Sequence, residues 1–231
     1  MMRRLPLLLA LLAPLGSGAA HAAPDPFEPV NRRVHDFNAL ARAHALAPLA
    51  QLWRAHVPAD TRAGIGRAVS NLGEPLTALS GVAAGELGVA GHALARFGIN
   101  TTLGLGGWRD AAAARGWEAQ RMTPGDAACA WGLPSGPFVM LPLLGPSTLR
   151  DATAGLAGSV ALAQGVGALP VAGVQAGEAF LGYERVEPAL RAMEAEALDP
   201  YAVLRSAWLQ RRATACPQDV DARALEEQDP G

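Results

Sequence analysis

Apolar side chains recur along this chain at helical spacing, and the recurrences divide it into segments. Phe27, Val30, Val34, Phe37 and Ala41 follow one another at 3,4,3,4 spacing, with Arg32, Arg33 and Asp36 on the other side, which predicts an amphipathic helix opened by Asp25-Pro26-Phe27-Glu28. That opening reads as an Asp cap, a proline in the first turn and an acid near the positive end of the dipole. Pro48 and Pro58 interrupt the pattern. Asp60-Thr61 then predicts a helix through Ile65, Val69 and Leu72 that stops at Asn71-Leu72-Gly73-Glu74-Pro75. From Leu76 to Phe97 the periodicity resumes, with Leu76, Leu79, Ala83, Leu87, Ala90 and Leu94 on one face; Val82, Val89 and Ala93 broaden it, which implies deep burial or lipid contact. Thr123-Pro124-Gly125-Asp126 opens a short helix that Gly132 closes.

The segment from Gly136 to Asp151 is almost wholly apolar, yet Pro137, Pro142 and Pro146, with Gly136 and Gly145, prevent a helix from running through it. It is expected to be extended and bent, with a short hairpin around residues 133 to 142 as one form. After Arg150-Asp151, no charged side chain occurs from Ala152 to Gly177, and Pro170 is expected to split this stretch into two helices, each too short to cross a bilayer of about 30 Å. Tyr183, Val186, Leu190 and Met193 carry a helix toward Leu198. Asp199-Pro200-Tyr201 repeats the Asp-Pro-aromatic start and opens a last amphipathic helix with Leu204, Arg205, Trp208, Arg211 and Arg212. The fold class is therefore all-α.

Composition adds the compartment. Arg3 and Arg4, an apolar run from Leu5 to Leu15 and small residues ending Ala20-His21-Ala22 form a secretory signal over residues 1–22, cleaved after Ala22. Residues 23–215 form one helical domain, and residues 216–231 an acidic, disordered tail. The signal removes two of the 19 basic residues, all arginine, and none of the 21 acids, so the formal charge moves from −2 to −4 and nucleic acid is not an evident partner. Cys129 and Cys216 would meet an oxidising compartment; pairing and two separate thiols remain equally open. Neither cysteine follows the apolar run of the signal, so no acceptor for an N-terminal lipid stands there, and anchoring would rest on buried apolar helices.

Catalytic patterns are weak. Ser135 lies in Gly-Leu-Pro-Ser-Gly with Pro137 where a nucleophile elbow needs its helix, and the histidines show no metal-ligand spacing; no catalytic residue, metal or cofactor is expected. Two segments echo each other, Leu103 to Ala111 and Leu144 to Ala152, each delivering Arg-Asp from a glycine-containing turn toward an Ala-rich helix. Arg109-Asp110 and Arg150-Asp151 are read as structural pairs in preference to phosphate ligands, since an arginine already paired with an acid is less free to bind phosphate.

With these residues in hand, the chain resembles the MlaA (VacJ) family. The marks are Asp25-Pro26-Phe27-Glu28 with Asn31-Arg32, Phe37-Asn38, Asn71 with Glu74 and Pro75, Arg96-Phe97 with Asn100-Thr101, and Gly104 to Asp110. Gly136, Pro137, Pro142, Arg150 and Asp151, then Asp199, Tyr201, Arg205 and Arg211, complete them. The resemblance implies a ring of amphipathic and apolar helices embedded in the periplasmic leaflet of the outer membrane around a central channel. It implies removal of phospholipids misplaced in the outer leaflet, association with trimeric porins and delivery to an MlaC-type periplasmic carrier, without chemistry. Phe37-Asn38 resembles a family segment near the channel gate. The competing class is a phospholipase-like enzyme acting on the same lipids.

Overall fold

The structure is a computed structural model that describes residues 25–217, so the signal and most of the acidic tail lie outside the described residues. Helix α1 (Glu28–Ala41) passes through one wide turn (Arg42–Leu46) into α2 (Ala47–His56). Within that turn the Ala47 N–H reaches back to the Arg42 carbonyl, one residue further than in an α-helix. The widening comes just ahead of Pro48, whose ring has no N–H to continue the regular ladder. A break at Val57-Pro58 leads to α3 (Ala59–Ala84), and α4 (Leu87–Thr102) folds back against it. The fit is close: a Cβ on Gly81 would lie 2.8 Å from the Ala90 backbone nitrogen.

Next come a glycine-rich corner, a short 3₁₀ turn (Ala113–Arg115), α5 (Pro124–Ala130), a hairpin of β1 (Phe138–Leu141) with β2 (Gly145–Thr148), then α6 (Leu149–Val166), α7 (Ala168–Glu196) and α8 (Pro200–Ala215). α3 is the central helix, touching α4, α5, α6 and α7. The hairpin touches α1, α6 and α8, and its Phe138 and Met140 meet Tyr201 in a small hydrophobic cluster with Val34, Leu204, Trp208 and Leu209 packed around it. Among the described residues no helix is long and apolar enough to cross a membrane.

Several expectations shift by local physics. Instead of stopping at Asn71 to Pro75, α3 runs through Pro75 and ends at Gly85, whose φ of +79° only glycine adopts cheaply. Pro75 forfeits the bond to the Asn71 carbonyl, but Asn71, Glu74, Thr77 and Ala78 are buried around it, and that packing holds the helix together. The Leu76–Phe97 helix is thus divided between α3 and α4.

The extended segment is a hairpin, placed at 138–148 instead of 133–142, because the apolar turn Pro142-Leu143-Leu144 reverses the chain and pairs Phe138 with Thr148 and Leu141 with Gly145. The charge-free stretch breaks at Gly167 (φ +92°); Pro170 sits inside the first turn of α7, where its missing donor costs nothing. Asp25 is not the cap of α1, a position held by Phe27, and Arg109-Asp110 lead into the 3₁₀ turn where Arg150-Asp151 begin a full helix.

Cys129, at the end of α5, is joined to Cys216, just past α8, by a disulfide that spans 87 residues of sequence. Cys216 is therefore fixed to the helical body. Reduction, or replacing both cysteines with alanine, is expected to destabilise the fold by about 2–4 kcal/mol, read as a thermal melt lowered by roughly 5–15 °C. A melt unchanged by reductant would show that the crosslink contributes nothing.

Candidate functional site

Three polar arrays organise the molecule, and most of the sequence-predicted residues fall in the first two. In the first, Asn31 and Asn38, two turns apart on α1, use their amides as a substitute strand along the free edge of β1. Asn31 donates to the Phe138 carbonyl at 3.1 Å and accepts the Met140 N–H at 2.8 Å. Asn38 donates to the Leu141 carbonyl at 3.0 Å and accepts the Leu143 N–H at 2.7 Å. Leu143 has φ of +63°, a strained value for a γ-branched side chain, and the Asn38 bond helps hold it there.

The two Asp-Pro-aromatic starts meet at the same place. Asp25 accepts the Tyr201 hydroxyl and, at 3.1 Å, the Asn31 amide, while Arg32 forks onto Asp199 at 3.1 and 2.7 Å and lies 4.6 Å from the Tyr201 ring centroid. Arg205 stands 3.8 Å from Asp25. Burial, and then the bond to Asp25, push the Tyr201 hydroxyl well above its ordinary pKa, so it stays a donor. At the far end of the hairpin Arg150 donates to Asp151 at 3.0 Å and to the Leu133 carbonyl at 2.9 Å, and Arg212 joins Asp151 at 3.2 Å and Asp126. The Pro137 carbonyl accepts the Leu149 N–H at 3.0 Å, so Gly136-Pro137 and the start of α6 are joined.

The second array surrounds Arg96, which is 4% exposed. It donates to Glu74 at 2.8 Å, to Asp110 at 3.1 Å and to the Trp117 carbonyl. Asn100 donates to Asp110 at 3.2 Å and accepts the Ala112 N–H at 2.9 Å, and Asn71 donates to Thr101 at 3.0 Å. Burial alone would raise the Asp110 pKa; the bonds from Ala113, Arg96 and Asn100 outweigh it and hold the group below its usual range. Asn71, Glu74, Asn100 and Asp110 thus help fasten the glycine corner across α3 and α4, with Pro75 next to Glu74 in α3. Arg109 is not part of it: its side chain is exposed, and Arg96 takes the place expected for it.

The third array was not singled out from the sequence. Glu184, Glu187, Arg191 and Glu194 lie at 3,4,3 spacing on α7 and face Arg42, Arg54 and Arg62 across a cleft. Arg62 reaches Glu184 at 3.0 Å and Arg54 reaches Glu187 at 3.2 Å; Arg42 pairs with Glu194, and Arg191 with Glu187. A cavity of about 350 Å³ opens here between the wide turn and α7, lined by Ala39, Arg42, Ala43, Gln51, Glu187 and Glu194 among others. The Arg42 Nε is buried with no hydrogen-bond partner among the described residues. The available signal was the period of these charges, which runs beside the apolar stripe Tyr183, Val186, Leu190, Met193; Val186 on that stripe is 53% exposed. Of the two residues expected near a gate, Phe37 is half exposed and Asn38 is the buried hairpin clamp.

Among the described residues, many polar and charged side chains are buried while large apolar ones are exposed. Asn31, Glu74, Arg96, Arg150, Glu187 and Arg205 are buried, while Trp131 is 71%, Leu156 68% and Leu169 87% exposed. His35 is edge-on to Tyr201 at 5.8 Å, His92 stacks on Trp117 at 5.1 Å, and His56 bonds the Leu52 carbonyl at 3.0 Å. No cluster of three metal-ligating side chains occurs among the described residues.

The fold and its polarity define a class: helical proteins whose apolar side chains face outward and whose charges are paired inside, around a polar cleft. Within that class the chain belongs to the MlaA lipoprotein family, whose model matches residues 23–215. It is 30% identical over 199 residues to the intermembrane phospholipid transport system lipoprotein MlaA of Escherichia coli K12, covering 81% of this chain and 76% of that one. It is 35% identical over 129 residues to an uncharacterised protein of Rickettsia felis, covering 56% of this chain and 51% of the relative, so it spans about half the length of that relative. A solved structure described as the structural basis for maintenance of bacterial outer membrane lipid asymmetry superposes with a TM-score of 0.71 at 28% identity, covering 84% of this chain and 99% of that one.

Two outcomes test these arrays. Arg96→Leu leaves the Glu74 carboxylate buried and unpaired and is expected to cost about 3–5 kcal/mol in denaturant unfolding, with Glu74→Gln in the same chain restoring part of it. The hydrogen bond from Arg32 holds Asp199 at about 2, below its unfolded value of 3.8, so the pair stabilises the fold above pH 4 and that contribution disappears as pH falls toward 2. The pair is solvent-exposed and contributes less than about 1 kcal/mol; Asp199→Asn should flatten the stability-versus-pH slope between pH 4 and 2 and leave the slope above pH 5 unchanged.

Proposed function

We propose that this protein is an exported outer-membrane component that removes phospholipid from the outer leaflet, in which it lies as a ring of helices within the periplasmic leaflet. The observation that carries the reading is the exposure of large apolar side chains around buried polar ones. Leucines and valines exposed on α3, α4, α6 and α7 are costly in water and favourable against acyl chains, by about 25 cal/mol per Å² of apolar surface. Charges that a lipid environment would not tolerate are paired inside, along the cleft between the wide turn and α7.

The cleft offers both polarities that a lipid needs. Arg42 and Arg191 line it with guanidinium groups that suit a phosphate, while Ala39, Ala43 and Ala47 keep the α1 and α2 side apolar and narrow. A headgroup passes along the charged side and the acyl chains keep to the apolar side. Phe37 lies near the end of α1 ahead of the wide turn and serves as the mobile half of a gate, with Asn38 fixing the hairpin beside it. The names carried by the Escherichia coli relative and the solved structure support this reading, and trimeric porins and an MlaC-type carrier are the partners it implies.

Cells lacking the chain are expected to accumulate phospholipid in the outer leaflet, measured by accessibility to an external phospholipase, and the wild-type gene should reverse this. Ala43→Trp, which fills the cleft without touching an ion pair, should behave as the deletion does at normal protein abundance. Recovery of the mature chain in the soluble periplasm with unchanged lipid asymmetry overturns the reading.

A further inference from the structure

A second cavity lies away from the charged cleft, between α3, α4, α6 and α7. It holds about 180 Å³ and is lined by Leu72, Leu76, Phe97, Val166 and Val174, with Glu178 at one side. The carboxylate has no hydrogen bond or ion pair among the described residues. It lies against the α3 backbone at Gly73, where a Cβ would stand 2.6 Å from its Oε1, so the glycine leaves room for it. From the loop before α5, exposed Arg121 donates at 2.8 Å to the hydroxyl of Ser70, one turn earlier on α3 than Gly73. Arg121 and Arg185 act on Glu178 through space without contact, and burial pushes the Glu178 carboxyl above its ordinary pKa. Unlike the acids Glu184, Glu187 and Glu194 further along α7, which are paired with arginines, this acid is an acceptor at the edge of an apolar groove with a guanidinium nearby on the loop before α5.

We propose that this groove is a phospholipid subsite selective for a headgroup ending in a primary ammonium: one acyl chain fills the groove, the ammonium donates to Glu178, and the phosphate faces Arg121. The arrangement of acceptor, donor and apolar trough matches that headgroup in charge and order. A glycerol headgroup offers no cation to Glu178 and leaves the carboxylate beside a phosphate of like charge. The proposal rests on the reading that the chain carries phospholipid, and adds to it a preference among phospholipids.

The test uses the mature chain in detergent, exposed to vesicles of equal phosphatidylethanolamine and phosphatidylglycerol, with retained lipid identified by mass spectrometry. Wild type should retain phosphatidylethanolamine in roughly three- to tenfold excess over phosphatidylglycerol. Glu178→Gln, which keeps the shape, should bring the ratio near one with total lipid preserved, and Arg121→Gln should lower the retention of both lipids. A wild-type ratio near one, or an excess that survives Glu178→Gln, overturns the ammonium site; retention unaffected by Arg121→Gln overturns the phosphate contact. Wild-type chain that retains no phospholipid removes the functional reading itself, which separates that failure from a loss of selectivity alone.

Discussion

The buried charges of this protein are held by partners within the chain, because burial without a partner is costly and much of the outward surface of the helices is leucine and valine. The hydrophobic cluster built on Phe138, Met140 and Tyr201 is small, so the helices are held in register largely by side-chain amides and guanidinium groups. Arg96 joins the glycine corner to α3 and α4, Arg150 joins the start of α6 to the segment at Leu133, Arg212 joins α8 to α5 and α6, and the α7 acids join the wide turn, α2 and α3. In a low-dielectric setting such bonds strengthen and a missing partner becomes expensive, which turns polar groups into the specifying contacts of the fold.

The hairpin shows how this works locally. A two-stranded sheet is marginal alone and its edges carry unpaired backbone groups. Asn31 and Asn38 cover one edge of β1 and so couple the shortest sheet to the first helix, while Tyr201 and Arg205 bring the last helix to Asp25. The chain ends of the helical body thereby converge on a strand pair of eight residues in all. The disulfide adds a covalent tie on the α5 side of the same region.

Helices α1 and α8 were legible from periodicity and α5 from its capping residues, and the Gly136 to Thr148 part of the Gly136 to Asp151 segment was legible as non-helical because three prolines and two glycines forbid the ladder, whereas Leu149 to Asp151 already belong to α6. Boundaries were less so. Pro75 carries a strong local stop signal, yet its neighbours Asn71 and Glu74 are bonded across to Thr101 and Arg96, and those tertiary bonds keep α3 going. Of the candidate residues, Asn71, Glu74, Asn100 and Asp110 do assemble, whereas Arg109 stays outside because the glycine corner turns it to the surface.

By itself the sequence determined the helical class, the bent apolar segment and the repeated Asp-Pro-aromatic starts, since each depends on spacing or on the backbone limits of proline and glycine. Tertiary structure alone decided that the two starts face each other, that Cys129 meets Cys216, and that the α7 acids meet arginines from the wide turn, α2 and α3. The reason is physical: a helical period fixes which residues share a face, but a helix with lipid, protein and cleft sides has three faces, and only packing against neighbours assigns them.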